Sequence, residues 1–296
     1  MSKIARKHNI SDVVLDIFVY SVMILMGLLT LFPFMNVFSK AFSAEWAVVS
    51  GKVILFPVDF QLFTMKYVVT NKEFLNAFSI SLFITGIGTL LSLLVIAVTA
   101  YPLSKKSMKG MKLILILFVF TMLFNGGLIP NYMLIKNLGL LNRLWSVILP
   151  SVISVFNLLI VKNYYESLPE SLEESARIDN ASNFRIIFSI ILPLSKPVLA
   201  TICLFTAVGY WNEYFHPMLY ITRVNLKPLQ VYMRDLVMEA LGSSDMLYKS
   251  SDDLGDITPE GVRAATIIAA TVPIVIVYPF LQKYFIKGVM IGSVKG

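Results

Sequence analysis

The chain has 296 residues; 57% are hydrophobic and only 15% charged, and the mean hydropathy is +0.75. Soluble domains carry about 25% charge, so a water-soluble globule of this length could not hide so much apolar surface, and the composition points to a bilayer as solvent. The net charge of +7 fits lysine-rich loops beside a membrane rather than a nucleic-acid partner, and the single cysteine, Cys203, excludes an intrachain disulfide framework.

The chain opens with Lys3, Arg6 and Lys7 before a long apolar run. That run is too long for a signal-peptide core and no A-x-A pattern follows it, so it reads as a retained span. A spanning helix needs about 20 apolar residues. Six segments qualify, at about 13–35, 77–103, from 113 onward, 144–163, 198–221 and 262–286. Pro33, Pro130, Pro150, Pro273 and Pro279 fall in or at the ends of these spans, where neighbouring helices can re-satisfy the freed carbonyls. The loop "SKKSMKGMK" carries four lysines, and Lys283, Lys287 and Lys295 stand at and beyond the end of the last span, toward the C-terminal tail. Positive charge marks the cytoplasmic side, which places both termini there together with the charged segment 166–197. Loops 36–76 and 222–261 fall outside.

The 166–197 segment reads as two short helices. Ser171 and Glu174 fit a capping box for a helix over about 172–178. Leu172, Ser175, Ala176 and Asp179 share one small, nearly flat face of it, while Glu173, Glu174 and Arg177 project elsewhere. Asn180 stands where a helix ends in the left-handed conformation, and Ser182 can cap a second helix through about 191. The expected result is an elbow beside the membrane that presents small residues outward to a groove on another protein.

These residues resemble the cytoplasmic EAA loop of permease subunits of binding-protein-dependent ABC importers. The match runs through Glu174-Ser175-Ala176, Asp179-Asn180-Ala181, Phe184, Ile187 and Ile191-Leu192-Pro193, with Ser175 in place of alanine and Asn180 in place of glycine. Further stretches resemble the smaller, maltose-type permease of the carbohydrate branch: "LFNGGLIPNYMLIKNLGLLN" (123–142), "GYWNEYFHPMLY" (209–220) and "YFIKGVMIGSVKG" (284–296). The wording also resembles permeases paired with binding lipoproteins for complex oligosaccharides in Gram-positive bacteria. The resemblance implies an all-α integral membrane protein with six transmembrane helices and the type I ABC importer fold. Residues 1–74 would hold the N-terminal segment, first span and outer loop, residues 75–282 the transmembrane domain, and residues 283–296 a cytoplasmic tail. It implies that Glu173, Glu174, Ser175, Ala176, Asp179, Asn180, Ala181 and Phe184 couple to an ATPase, and that Gly292, Val294 and Lys295 reach between the two ATPases. The implied partners are a second homologous permease, two ATP-binding subunits, an external binding protein and membrane lipid.

No H-E-x-x-H, G-x-S-x-G or Walker A motif is present, so no catalytic residue or metal ligand is assigned, and ATP and Mg are expected on the partner ATPase. An ionisable group at the bilayer centre costs about 2.5–3.5 kcal/mol, so Asn212 and Glu213, read as lying inside an apolar helix, need a cavity or partner. With Trp211 and Tyr214 they suit a sugar path, because sugar rings stack on aromatics and hydrogen-bond to polar groups. The competing reading is helix–helix adhesion with interfacial aromatics. Asn125, Gly126 and Gly127 break the third span, either for the path or as a close-packing bend. In 222–261, Leu229, Met233, Leu236, Val237 and Leu241 make an amphipathic helix, for a binding protein or for solvent. The function expected is import of an oligosaccharide through half of a channel. Import of a polyol, phosphodiester or peptide, and an intramembrane enzyme or stand-alone channel, are the alternatives.

Overall fold

The computed structural model describes residues 10–105, 108–242 and 258–293, and every regular element among them is helical. In chain order they are α1 (Ile10–Ala41), α2 (Glu45–Val49), α3 (Phe63–Thr70), α4 (Lys72–Leu103), α5 (Met111–Leu123), α6 (Leu128–Asn137) and α7 (Trp145–Ile148). There follow α8 (Val155–Glu166), α9 (Ser171–Ile178), α10 (Asn183–Ile186), α11 (Leu192–Leu194), α12 (Lys196–Asn212), α13 (Phe215–Tyr220), α14 (Leu229–Gly242) and α15 (Pro259–Ser293). Three helices, Val13–Ala41, Lys72–Leu103 and Pro259–Val277, are long and apolar enough to cross a membrane, and three bent pairs raise the number to as many as six.

The chain divides into two compact units, Met1–Thr70 with Val237–Ala269 and Asn71–Leu236 with Ala270–Gly296. In the first unit, α1 is apolar all round, and residues 13–34 are exposed throughout, which suits lipid or a partner on every side. The same unit is fastened by Glu45. Its carboxylate accepts the hydroxyl of Thr64 and both the hydroxyl and backbone N–H of Thr258. Thr258 precedes α15, so a buried anion sits at that helix start, where free N–H groups favour negative charge.

In the second unit Asn71 caps α4, accepting from the N–H groups of Glu73 and Phe74. The buried residues of α4 include Ala77, Ser81, Ile84, Gly88, Ser92, Ile96 and Ala100, a stripe at helical spacing made largely of small side chains. Small residues let helices approach closely where no hydrophobic effect drives them together. Here α12 packs along α4, and a Cβ on Gly88 would lie 2.7 Å from the ring of Tyr210. The Tyr210 hydroxyl donates to the Ile148 carbonyl at 3.0 Å, so one side chain ties α4, α7 and α12.

The apolar helices are broken where the sequence inserts polar residues. α5 and α6 meet at 113°, α7 and α8 at 45°, and the α10–α11 arm and α12 at 80°. The first break corrects the close-packing reading of "NGG". A Cβ on Gly126 meets nothing within 4 Å, and the bend instead needs the positive φ of +93° at Gly127. Asn125 Oδ1 accepts the Gly127 N–H at 2.8 Å, filling the gap in the ladder. The fifth span is also corrected. α12 stops at Asn212, and Glu213 and Tyr214 form a break before α13, so Glu213 does not stand inside a helix. The amphipathic pattern in the 222–261 loop appears as α14, anchored by buried Leu229, whose N–H donates to Ser81 Oγ at 2.8 Å.

Glu45→Ala leaves the Thr64 and Thr258 hydroxyls without their acceptor. It is expected to cost about 2 kcal/mol and lower the unfolding temperature of the purified protein by about 5 °C in a thermal-shift scan. Gly88→Ala forces Tyr210 aside and is expected to cost about 1–3 kcal/mol in the same scan. Gly86→Ala, whose Cβ meets nothing within 4 Å, is the control and leaves the transition unchanged or raises it.

Candidate functional site

The elbow begins earlier than the capping-box pattern indicates. The Pro169 carbonyl accepts from Leu172 N–H, and the Glu170 carbonyl accepts from Glu173 and Glu174 N–H. Ser171 is therefore a helical residue, its carbonyl taken by Ser175 Oγ at 2.8 Å, and the Ser171–Glu174 box does not form. The helix end follows the sequence expectation. Asn180 has φ +56°, its N–H bonds to the Arg177 carbonyl at 3.0 Å, and Ala181 N–H bonds to the Ala176 carbonyl at 2.9 Å. This is a Schellman motif with asparagine in the glycine position. Ser182 Oγ then caps α10 by accepting from Arg185 N–H at 3.3 Å. A π-helical turn, Ile187–Ile191, carries the second arm into α11.

Of the small face of α9 only Ala176 turns inward, against the expectation that the whole face looks outward; Leu172, Ser175 and Asp179 stay exposed. Ala176 is 9% exposed and packs in a cluster with Ile96, Ala100, Tyr101 and Leu103 of α4, with Ala181 against the same cluster. Glu173 is drawn in as well. Its carboxylate pairs with Lys105 Nζ and accepts the Tyr101 hydroxyl at 3.2 Å, while the Lys105 ammonium lies 4.8 Å from the Tyr101 ring centre. Glu174, Ser175, Asp179, Leu172, Ile178 and Phe184 remain exposed, Ile178 at 81% and Phe184 at 73%. Ala176 is the smallest side chain of α9, and it is the one taken into the apolar cluster formed with α4, α8 and α12.

A second feature lies among α4, α8 and α12. A cavity of about 230 Å³ is lined by Ser92, Ser151, Ser154, Asn157, Thr206, Tyr210 and Glu213, together with Ile96, Val152, Phe205 and Gly209. Ser154 caps α8 through the N–H of Asn157, and the Asn157 amide reaches Thr206 Oγ1 at 3.4 Å. Ser92 Oγ lies 3.4 Å from the Tyr210 hydroxyl. Glu213 Oε1 accepts the N–H groups of Phe215 and His216 and so caps α13, while Oε2 lies 3.3 Å from His216 Nδ1. The wall can thus donate and accept several hydrogen bonds, suiting a hydroxyl-rich solute.

The structure divides the expected path residues. Glu213 lines the cavity. Trp211 is buried at 6% exposure and meets Phe78 edge-on at 5.8 Å. Asn212 bonds back to the Val208 carbonyl, Tyr214 packs edge-on to Phe215, and Asn125 accepts the Gly127 N–H in the break before α6. Gly292 falls in the last turn of α15, and Val294 and Lys295 lie outside the described residues. Sequence reasoning missed Ser92, Ser151, Ser154, Asn157, Thr206 and Tyr210. Their signal was polar side chains recurring inside apolar runs, notably "SVISVFN". It also missed Asn142, at φ +55°, whose Oδ1 accepts Thr222 N–H, Thr222 Oγ1–H and Arg223 N–H and so pins the chain after α13.

The chain is similar to known proteins over nearly all of its length. It is 44% identical to Protein LplC of Bacillus subtilis over 91% of each chain. It is 41% identical to the polygalacturonan/rhamnogalacturonan transport system permease protein YtcP of Bacillus subtilis, covering 95% of this chain and 98% of that one. Among solved structures it superposes, with TM-score 0.88 and 33% identity, on a chain of a bacterial ABC transporter involved in the import of the acidic polysaccharide alginate, covering 94% of this chain and 99% of that one. The profile described as "Binding-protein-dependent transport system inner membrane component" matches residues 90–291. The described residues form only helices as regular elements and share the type I ABC importer permease fold with that neighbour. The chain therefore belongs to the binding-protein-dependent transport system inner membrane component family.

Proposed function

We propose that the chain is the transmembrane permease subunit of an ATP-driven importer and forms half of the path for an oligosaccharide delivered by an external binding protein. The observation that carries the reading is the pairing, in one chain, of a hydroxyl-reading cavity among apolar helices with an elbow whose bare side chains need a partner. Relatives that transport polygalacturonan, rhamnogalacturonan and alginate support a saccharide as the solute. A second permease completes the path, and two ATP-binding subunits hold ATP and Mg. The chain itself is non-catalytic. It resides in the bacterial cell membrane with both termini cytoplasmic, in keeping with the lysines at the elbow side of α4 and after the last span.

In this reading Glu174, Ser175, Asp179 and Phe184 meet the ATPase, with Leu172 and Ile178 beside them. Ala176, Asn180 and Ala181 shape the elbow that presents them, and Glu173 braces it from behind. Exposed phenylalanine and isoleucine flanked by carboxylates suit a groove with an apolar floor and a basic rim. The tail residues Gly292, Val294 and Lys295 are assigned to the ATPase pair on the resemblance. Ser92, Ser154, Asn157, Thr206, Tyr210 and Glu213 form this subunit's wall of the path; Trp211 and Asn212 support the helix that carries it, and Tyr214 and Asn125 set the breaks that bound it.

The test is the complete importer reconstituted in vesicles with its binding protein. Glu174→Lys is expected to lower binding-protein-stimulated ATP hydrolysis about tenfold. Normal stimulation in that variant would remove the elbow from the ATPase interface. Asn157→Leu deletes a hydrogen-bonding side chain from the cavity and is expected to lower uptake about fivefold in the assembled complex. Uptake equal to wild type would move the path elsewhere.

A further inference from the structure

The elbow has two arms that bury residues in one apolar cluster with α4, α8 and α12, but only the first arm is also ion-paired beside the end of α4. The first arm, α9, buries Ala176 in that cluster and is tied to α4 by the Glu173 carboxylate, which accepts the Tyr101 hydroxyl and pairs with Lys105 just beyond the helix end. The second arm, α10 through α11, runs into α12 through the 80° bend, with Ile186, Ile187 and Ile191 buried. Asn180, in the left-handed conformation, is the joint between them. The same two helices wall the cavity: Ser92 and Ile96 come from α4, and Phe205, Thr206, Gly209 and Tyr210 from α12. Ile96 belongs both to the cluster that seats Ala176 and to the cavity lining.

We propose that Glu173 is a positioning residue whose ion pair with Lys105 fastens the first arm to α4, so that a push on the elbow drives α4 against α12 and reshapes the cavity between them. This inference rests on the permease reading above. α9 has eight residues, too few to be stable or stiff unaided. Ala176 offers a small contact area, and an alanine contact alone can rock. The Glu173 carboxylate adds direction. It holds an ammonium and a phenol hydroxyl at once, and the aromatic ring beneath the ammonium fixes the third corner. The Glu173 side chain is only 14% exposed, so it faces away from any partner of the elbow, and neighbouring Glu174 is left to meet one. With the strut cut, α9 pivots between the Pro169 turn and the Asn180 joint, and the stroke is absorbed there.

The test uses the full importer in vesicles, with Cys203→Ser and spin labels at Leu94→Cys on α4 and Val208→Cys on α12, both exposed positions. The label separation is measured without nucleotide and with ATP plus vanadate. The unaltered strut is expected to give a nucleotide-driven change in separation. Glu173→Gln and Lys105→Met are each expected to lose most of that change while the ATPases still trap nucleotide. The exchanged pair, Glu173→Lys with Lys105→Glu, is expected to recover it. Retention of the full change in either single variant, or no recovery in the exchanged pair, overturns the strut. If the single variants do not assemble, the exchanged pair decides alone: recovery of the change is expected there, and its absence overturns the proposal. Absence of any nucleotide-driven change with the strut intact sinks the permease reading itself, so the two failures are distinguishable.

Discussion

Hydrocarbon supplies no hydrogen bonds, so a backbone group that leaves a helix within the membrane must find a partner in the protein. Three of the breaks in the apolar helices are built around that constraint. Asn125 fills it between α5 and α6, Ser154 before α8 and Glu213 before α13, each accepting N–H groups that the interrupted ladder leaves open. Asn71 and Ser182 do the same at the starts of α4 and α10. Such caps are worth about 1 kcal/mol in water, where the freed N–H groups have an alternative. Away from water they become the condition for breaking the helix at all.

The cavity is a consequence of the breaks. A polar residue that caps a helix inside the bundle brings its unused hydrogen-bonding capacity with it. Ser154 and Glu213 serve as caps and also line the same space. Ser92, Thr206 and Tyr210 come from regular helix and complete the wall, because Gly88 lets the Tyr210 ring lie against α4. One hydroxyl, on Tyr210, therefore stands at the meeting of three helices and at the cavity edge. A change in the α4–α12 approach alters the cavity directly, with no intermediate layer to absorb it.

The elbow obeys the opposite economy. The inward side of its first arm is small or paired, Ala176 and Glu173, and its second arm buries Ile186, Ile187 and Ile191. Its outward side carries Ile178, Phe184 and Phe188, three large apolar groups at high exposure beside the acidic Glu174 and Asp179. Exposed apolar groups clustered in this way mark protein or membrane contacts, and in the permease reading proposed above the ATPase covers them. Burying the anchor and exposing the contact surface divides the work between residues one position apart, Glu173 and Glu174.

The sequence by itself determined the all-helical membrane class, because no soluble packing hides this much apolar side chain. It determined the elbow with its Asn180 turn, and the break at Asn125, because local chemistry sets both. It did not determine that Ala176 would be buried while Leu172, Ser175 and Asp179 stay exposed: helical spacing identifies a stripe, and only the neighbour chosen by the fold says which part of it is touched. The roles of Glu173, Trp211 and Tyr210 were decided in the same way. Spacing placed two adjacent glutamates in one motif, and the tertiary structure separated them, because α4 brings Lys105 and Tyr101 to one and leaves the other in the open. The cavity is purely tertiary, since its wall joins residues from 92 to 213 that share no local pattern and meet only when three helices close around them.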